Sequence, residues 1–177
     1  MGKTSIIMAG GKGSRMRDPE KCLIRIGKLS IIANLSEILS HLGYETFIAT
    51  TRLHRKVIQF AEENSIDIIY TAGSGYETDL GEAIVSLAKV PVLVVPGDLI
   101  TVDKSLFLEA WKAGTRSGAG VVTFTLNGNF SGISVINRLP PIGMPMDFET
   151  ADIRSGGSFN VNTPADLELA RSYFLTP

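Results

Sequence analysis

The sequence predicts a three-layer α/β/α fold, Rossmann-like, with a mixed, mostly parallel sheet between layers of helices. Short apolar runs rich in β-branched residues alternate with segments of helical period along the chain. One run, Val92–Val95, is almost wholly apolar, as a central strand buried on both faces must be. The first run also passes straight into three glycines, Gly10, Gly11 and Gly13.

The elements follow in order. Ser5–Met8 reads as the first strand. Ser30 then precedes Ile31, Ile32, Leu35, Ile38, Leu39 and Leu42, an apolar stripe of helical spacing that stops at Gly43. Thr46–Thr50 reads as a strand and His54–Glu63 as a helix with Val57, Ile58 and Ala61 inward. Asp67–Tyr70 is a third strand. Tyr76–Leu87 is a helix with Leu80, Ala83, Ile84 and Leu87 on one face. After Val92–Val95, Asp103 is expected to cap a helix through Ala113 that ends at Gly114. Gly120–Thr125 and Gly132–Ile136 read as strands separated by Asn127-Gly128-Asn129, a strong turn signal. Three prolines and a glycine make Pro140–Met146 a loop or lid. Thr163-Pro164-Ala165-Asp166 announces a last helix to about Phe174, with threonine as cap, proline in the first position and an acid in the first turn.

Composition narrows the function. The 177 residues have the size of one domain, and no repeat, low-complexity tract or linker divides them, so a single domain over residues 1–177 is expected. Hydrophobic residues make up 44% and charged residues 20%, as in soluble globular proteins. A net charge of −1 gives no global attraction for nucleic acid or an anionic membrane. Phosphate affinity must therefore be local, and the basic residues are indeed clustered: Lys12, Arg15, Arg17, Lys21, Arg25 and Lys28 stand close together. The single cysteine, Cys22, excludes an intramolecular disulfide and a cysteine-rich metal site. The apolar stretch Ile6–Ala9 is too short for a signal peptide or a membrane span, so the cytoplasm is the expected location.

The richest stretch is Ile6–Lys21, IIMAGGKGSRMRDPEK. Glycines let the backbone bend and bring its N–H groups close to an anion, while Lys12, Arg15 and Lys21 can neutralise phosphate charge. It is neither a Walker A loop nor a G-x-G-x-x-G fingerprint, since Met16 stands three residues after Gly13. A glycine-rich turn beside solvated charges could also serve packing alone.

The string AGGKGSRM followed by Lys21 and Leu23 resembles the signature of the MobA-like nucleotidyltransferase superfamily. That superfamily includes sugar-phosphate nucleotidylyltransferases, molybdenum-cofactor guanylyltransferases and the archaeal GTP:adenosylcobinamide-phosphate guanylyltransferases. Two middle segments are similar to the last group: Thr71–Tyr76 with Asp79 and Leu80, and Val94-Val95-Pro96-Gly97-Asp98-Leu99-Ile100. A third, Phe159-Asn160-Val161-Asn162-Thr163 with Asp166 and Leu167, resembles the cobinamide and molybdenum branches alike. The resemblance spans nearly the whole chain and is weakest between Asn127 and Gly157.

What the resemblance implies is transfer of GMP from GTP to adenosylcobinamide phosphate, in cobalamin assembly, with release of pyrophosphate. Alternatives are a molybdenum-cofactor guanylyltransferase, a sugar-phosphate nucleotidylyltransferase, or a GTP-binding sensor module without catalysis. The partners implied are GTP and a small phosphorylated acceptor, a corrinoid; nucleic acid and stable membrane insertion are not expected. Ala9, Gly10, Gly11 and Gly13 would wrap the triphosphate with backbone donors, with Arg15 and Lys21 neutralising its charge; Lys12 belongs to the same nucleotide-binding loop but, like Arg17, is read as peripheral. Asp98 follows the buried strand, at the strand end where such sheets place ligands, and one carboxylate there suits Mg²⁺. A plain turn residue is the competing reading of Asp98.

Asn160 and Asn162 lie two apart in an extended segment and share a side; Asn162 is favoured for the phosphates. Base selection is expected from Thr50 and Thr51 and from Thr71–Tyr76, including Gly75, with Asp79 able to accept from guanine. Transfer to a phosphate that is already ionised needs no general base, and His41 and His54 are read as structural or surface residues.

Overall fold

A computed structural model of the chain describes residues 2–11, 18–140 and 146–175. The first apolar run forms β1 (Lys3–Met8), whose alternate side chains enter two separate cores: Ile7 on one face, Ile6 and Met8 on the other. A short hairpin, β2 (Arg25–Ile26) and β3 (Leu29–Ser30), leads into α1 (Ile31–His41). Ser30 caps α1 as its position requires, its hydroxyl accepting from the Ala33 amide at 3.3 Å. Next come β4 (Tyr44–Thr50), α2 (Arg55–Glu63), β5 (Asp67–Tyr70), α3 (Tyr76–Leu87) and β6 (Val92–Pro96). The remaining elements are β7 (Leu99–Thr101), α4 (Leu106–Arg116), β8 (Val121–Leu126), β9 (Asn129–Ile136), β10 (Phe148–Ile153), β11 (Ser158–Asn160) and α5 (Pro164–Leu175).

Seven strands form the main sheet in the order β10-β8-β9-β6-β1-β4-β5. β9 runs antiparallel to both its neighbours; the other four pairings are parallel, so the sheet is mixed and mostly parallel as expected. The apolar stripe of α1 and the inward residues Leu106, Phe107 and Ala110 of α4 pack on one face with Ile7, Leu93 and Val95. On the other face, Ala83 and Ile84 of α3 pack with Ile6, Val92 and Val94. A separate antiparallel pair, β7 with β11, stands beyond the end of β6.

The structure corrects two expectations. The helix after β7 begins at Leu106 rather than at Asp103, whose carboxylate instead accepts from the amide and hydroxyl of Ser105 at 3.0 and 2.7 Å. It also runs through Gly114 to Arg116. Gly114 is not a stop: a Cβ there would lie 2.5 Å from Cβ of Val135, so the glycine lets α4 lie directly on β9. Second, β2, β3, β7, β10 and β11 are strands that the apolar patterning did not predict. β10 is an edge strand, and only Ala151 and Ile153 of its six residues are sheltered. The Asn127-Gly128 turn is as predicted, both residues having positive φ (+52° and +79°) between β8 and β9. Most of the Pro140–Met146 loop, residues 141–145, lies outside the described residues.

Candidate active site

The parallel strands β1, β4 and β6 end together, and β1 sits where neighbouring connections depart to opposite sides, the topological switch point at which such sheets bind ligands. A cleft of about 460 Å³ opens there. Its floor is main chain. The amide of Ala9 donates to the Ala49 carbonyl at 2.8 Å, and that of Gly97 to the Met8 carbonyl at 2.9 Å. A Cβ on Gly97 would lie 2.8 Å from the Met8 oxygen, so only glycine lets the chain turn so tightly across β1.

Of the residues expected to meet the nucleotide, Ala9, Gly10 and Gly11 line the cleft, together with Gly75 and Asp79 on its β5–α3 side. Lys12, Gly13, Arg15 and Arg17 lie outside the described residues. Thr50 and Thr71 are buried and do not line the cleft. The Thr50 hydroxyl donates to the Ala9 carbonyl at 3.1 Å and so holds the glycine loop from behind. The Thr71 hydroxyl has no partner among the described residues. Asp79 is 5% exposed, and its Oδ1 accepts from the amides of Gly73 (2.9 Å) and Ser74 (3.1 Å), which shapes the loop that walls the cleft.

Lys21, Asp98 and Asn162 line the same cleft. Lys21 Nζ donates to Asp98 Oδ2 at 2.5 Å, to Asn162 Oδ1 at 3.0 Å and to the Val161 carbonyl at 3.2 Å. Lys21, Asp98 and Asn162 stand 77 and 64 positions apart in the chain, and the fold brings all three into the cleft. Asp98 Oδ1 accepts from Asn160 Nδ2 at 2.9 Å, and the same amide donates to the Ser131 carbonyl at 3.1 Å. Asn160 and Asn162 thus both serve the Lys21–Asp98 pair, Asn160 from outside the cleft.

Two carboxylates fix the frame around that pair. Glu20 Oε1 accepts from the amides of Lys56 (2.7 Å) and Val57 (3.3 Å). It supplies the cap that His54, the residue before α2, does not. Asp166 Oδ2 accepts from the amides of Asn162 (2.9 Å) and Thr163 (2.8 Å). Burial pushes the Asp166 carboxyl up, but these amides, the Thr163 hydroxyl and the Lys21 charge together bring it below the ordinary carboxylate range.

Tyr76, within the Thr71–Tyr76 segment expected to select the base, lines the cleft, and so does Cys22, which the sequence reading did not place there. Tyr76, the first residue of α3, sends its hydroxyl toward the Gly132 carbonyl of β9 at 3.4 Å. Burial first, then the Glu20 charge, pushes the Cys22 thiol up to about 12. It is therefore a protonated wall residue and not a nucleophile. His54 is buried on Thr51 at 2.9 Å, and exposed His41 meets its own helix at the Glu37 carbonyl; neither lines this cleft. No cluster of three or more His, Cys, Asp or Glu suited to a metal occurs among the described residues. No helix among them is long and apolar enough to cross a membrane.

A cleft of glycine main chain with one ammonium, Lys21, and two carboxylates, Asp79 and Asp98, among its described lining, at the end of a doubly wound sheet, suits a phosphate-bearing ligand. Residues 5–150 match the family profile of the MobA-like NTP transferase domain, and the chain belongs to that family. It is a nucleotidyltransferase. It is similar to the adenosylcobinamide-phosphate guanylyltransferase of Methanocaldococcus jannaschii, with 30% identity covering 94% of each chain. Among solved structures, it is similar in fold to CMP:2-keto-3-deoxy-manno-octonic acid synthetase complexed with CTP. There the TM-score is 0.77 and the identity 17%, covering 99% of each chain. Another is molybdopterin-guanine dinucleotide biosynthesis protein A from Archaeoglobus fulgidus, at a TM-score of 0.72 and 14% identity, covering 96% of this chain and 97% of that one.

Proposed function

We propose that this chain moves GMP from GTP to adenosylcobinamide phosphate and releases pyrophosphate. The observation that carries the reading is the Lys21–Asp98 pair, which lines the same cleft as Ala9, Gly10 and Gly11. The relative from M. jannaschii and the Thr71–Asp79 segment support guanine and the corrinoid acceptor.

The reaction is an in-line attack. An oxygen of the acceptor phosphate forms a bond to the α-phosphorus, the bond from that phosphorus to the bridging oxygen of the β-phosphate breaks, and the electron pair leaves with pyrophosphate. The attacking oxygen is already ionised, so the site needs no base; positioning and charge neutralisation suffice. Gly10 and Gly11 offer main-chain donors to the phosphates, continued in our reading by Lys12, Gly13 and Arg15; the amide of Ala9, expected to share in this, is instead committed to the Ala49 carbonyl. Lys21 neutralises charge at the reacting phosphorus, and Asn162 orients it.

The residues present fit Mg²⁺. Asp98 Oδ2, Asn162 Oδ1 and the Val161 carbonyl are hard oxygen donors grouped around one point, now spanned by the Lys21 ammonium. A single carboxylate is what this ion takes when phosphate oxygens and water complete its shell. Bound there, the metal neutralises triphosphate charge. Gly75 and Asp79 line the same cleft, and to them we assign the reading of the base.

The test is to incubate the protein with Mg²⁺ and each of the four triphosphates, with and without candidate acceptors, and to follow pyrophosphate. We expect release with GTP and adenosylcobinamide phosphate. We also expect GTP to bind at least about tenfold more tightly than ATP, about 1.4 kcal/mol. Equal affinity for the two would end the guanylyltransferase reading. Release with a molybdopterin or a sugar phosphate instead would move the acceptor. GTP binding without any release would leave a sensor.

A further inference from the structure

We propose that the Lys21 ammonium and a divalent cation compete for one oxygen cradle, so that metal enters the cleft only when a triphosphate draws Lys21 away. The inference rests on the reading of Asp98 as the metal-holding carboxylate.

Three oxygens meet Lys21 Nζ: Asp98 Oδ2 at 2.5 Å, Asn162 Oδ1 at 3.0 Å and the Val161 carbonyl at 3.2 Å. They match the three N–H donors of an ammonium, and they are also the oxygen set of a hard cation. The carboxylate is held in this orientation, because Asp98 Oδ1 accepts from Asn160, whose amide also donates to the Ser131 carbonyl. A metal held jointly by Asp98, Asn162 and the Val161 carbonyl takes the place of the Lys21 ammonium. An ammonium and a dication at contact distance from one oxygen repel each other strongly.

The part free to move is the lysine side chain and not its backbone. Main-chain bonds Leu23 N–H to Glu20 O (2.9 Å) and Ile24 N–H to Lys21 O (3.0 Å) close the turn, and Glu20 pins it to α2. The Lys21 side chain is 19% exposed on a four-carbon stem. A triphosphate on the glycine loop gives the ammonium another anion. Each ligand then makes room for the other, and the two bind with positive coupling. Lys21 acts here as a positioning residue for the metal, apart from its role toward phosphate.

The experiment measures Mn²⁺ binding to the whole chain without nucleotide, from the loss of the free-ion electron paramagnetic resonance signal. Lys21→Met removes the charge and keeps the stem; Lys21→Gln is made alongside, and circular dichroism checks both folds. We expect each variant to take up one Mn²⁺ at least about tenfold more tightly than the wild type. Adding Asp98→Asn should abolish the gain. Equal Mn²⁺ affinity in wild type and both variants overturns the inference. If Asp98→Asn still cuts pyrophosphate release in that case, the reading of Asp98 stands and only the competition is wrong. If Asp98→Asn leaves release unimpaired, the reading of Asp98 falls and the inference with it.

Discussion

Asp98 is held on both oxygens, by Lys21 on one and Asn160 on the other, at the edge of a cleft rather than within a packed core. Replacing it by asparagine keeps the shape and removes the charge. Asp98→Asn should therefore retain the fold and much of the GTP affinity while lowering turnover about a hundredfold or more, measured as pyrophosphate release. An unimpaired variant would make Asp98 a turn residue. Asp166 tests the frame behind it. Its folded carboxyl lies below its ordinary range, so it contributes stability above the unfolded value of about 3.9, and that contribution is lost as pH falls through the folded value. Denaturant unfolding should show Asp166→Asn less stable than wild type at pH 7, with the gap closing as pH falls below the ordinary carboxylate range. At this scale Lys21, Asp98 and Asn162 were legible because each sits in a contiguous motif. The cap that Glu20 gives a helix 36 positions away and the carbonyl that Tyr76 reaches 56 away were not, because no local pattern encodes such partners.

The elements that position the site divide in the same way. β1, β6, α1 and α3 have strong periodicity because one or both faces are buried, so their apolar spacing declares them. β7 and β11 are three residues each, and β10 is an edge strand with four exposed residues, so burial imposes little pattern on them. Gly114 misled for a physical reason: a glycine that ends a helix and one that admits a neighbour look alike in sequence. The packing role predicts its own outcome. Gly114→Ala would raise helix propensity, yet its Cβ would meet three side-chain carbons of Val135 within 2.9 Å, all rooted at the backbone. We expect the clash to win and stability to fall by about 1–3 kcal/mol in chemical denaturation. A cycle with Val135→Ala should show the two changes partly compensating. Additive losses would place the cost elsewhere.

Across the whole molecule, the order β6-β1-β4 places the glycine loop, the Asp98 turn and the β5–α3 loop around one opening, while β11 brings Asn160 and Asn162 back from the far end of the chain. The α/β class was legible because alternating strands and helices force it. The strand order was not, nor was the antiparallel β9, since pairing is decided between distant segments. An ammonium acting on the transferring phosphate stabilises charge that shifts in the transition state, whereas a merely attractive one strengthens ground-state binding and is screened by salt. The direct test is steady-state pyrophosphate release by Lys21→Ala with GTP and acceptor, at low and high salt. The account predicts that kcat and kcat/KM fall together by about a hundredfold or more, at both salt concentrations. An unchanged kcat with a raised KM for GTP that shrinks in high salt would contradict it.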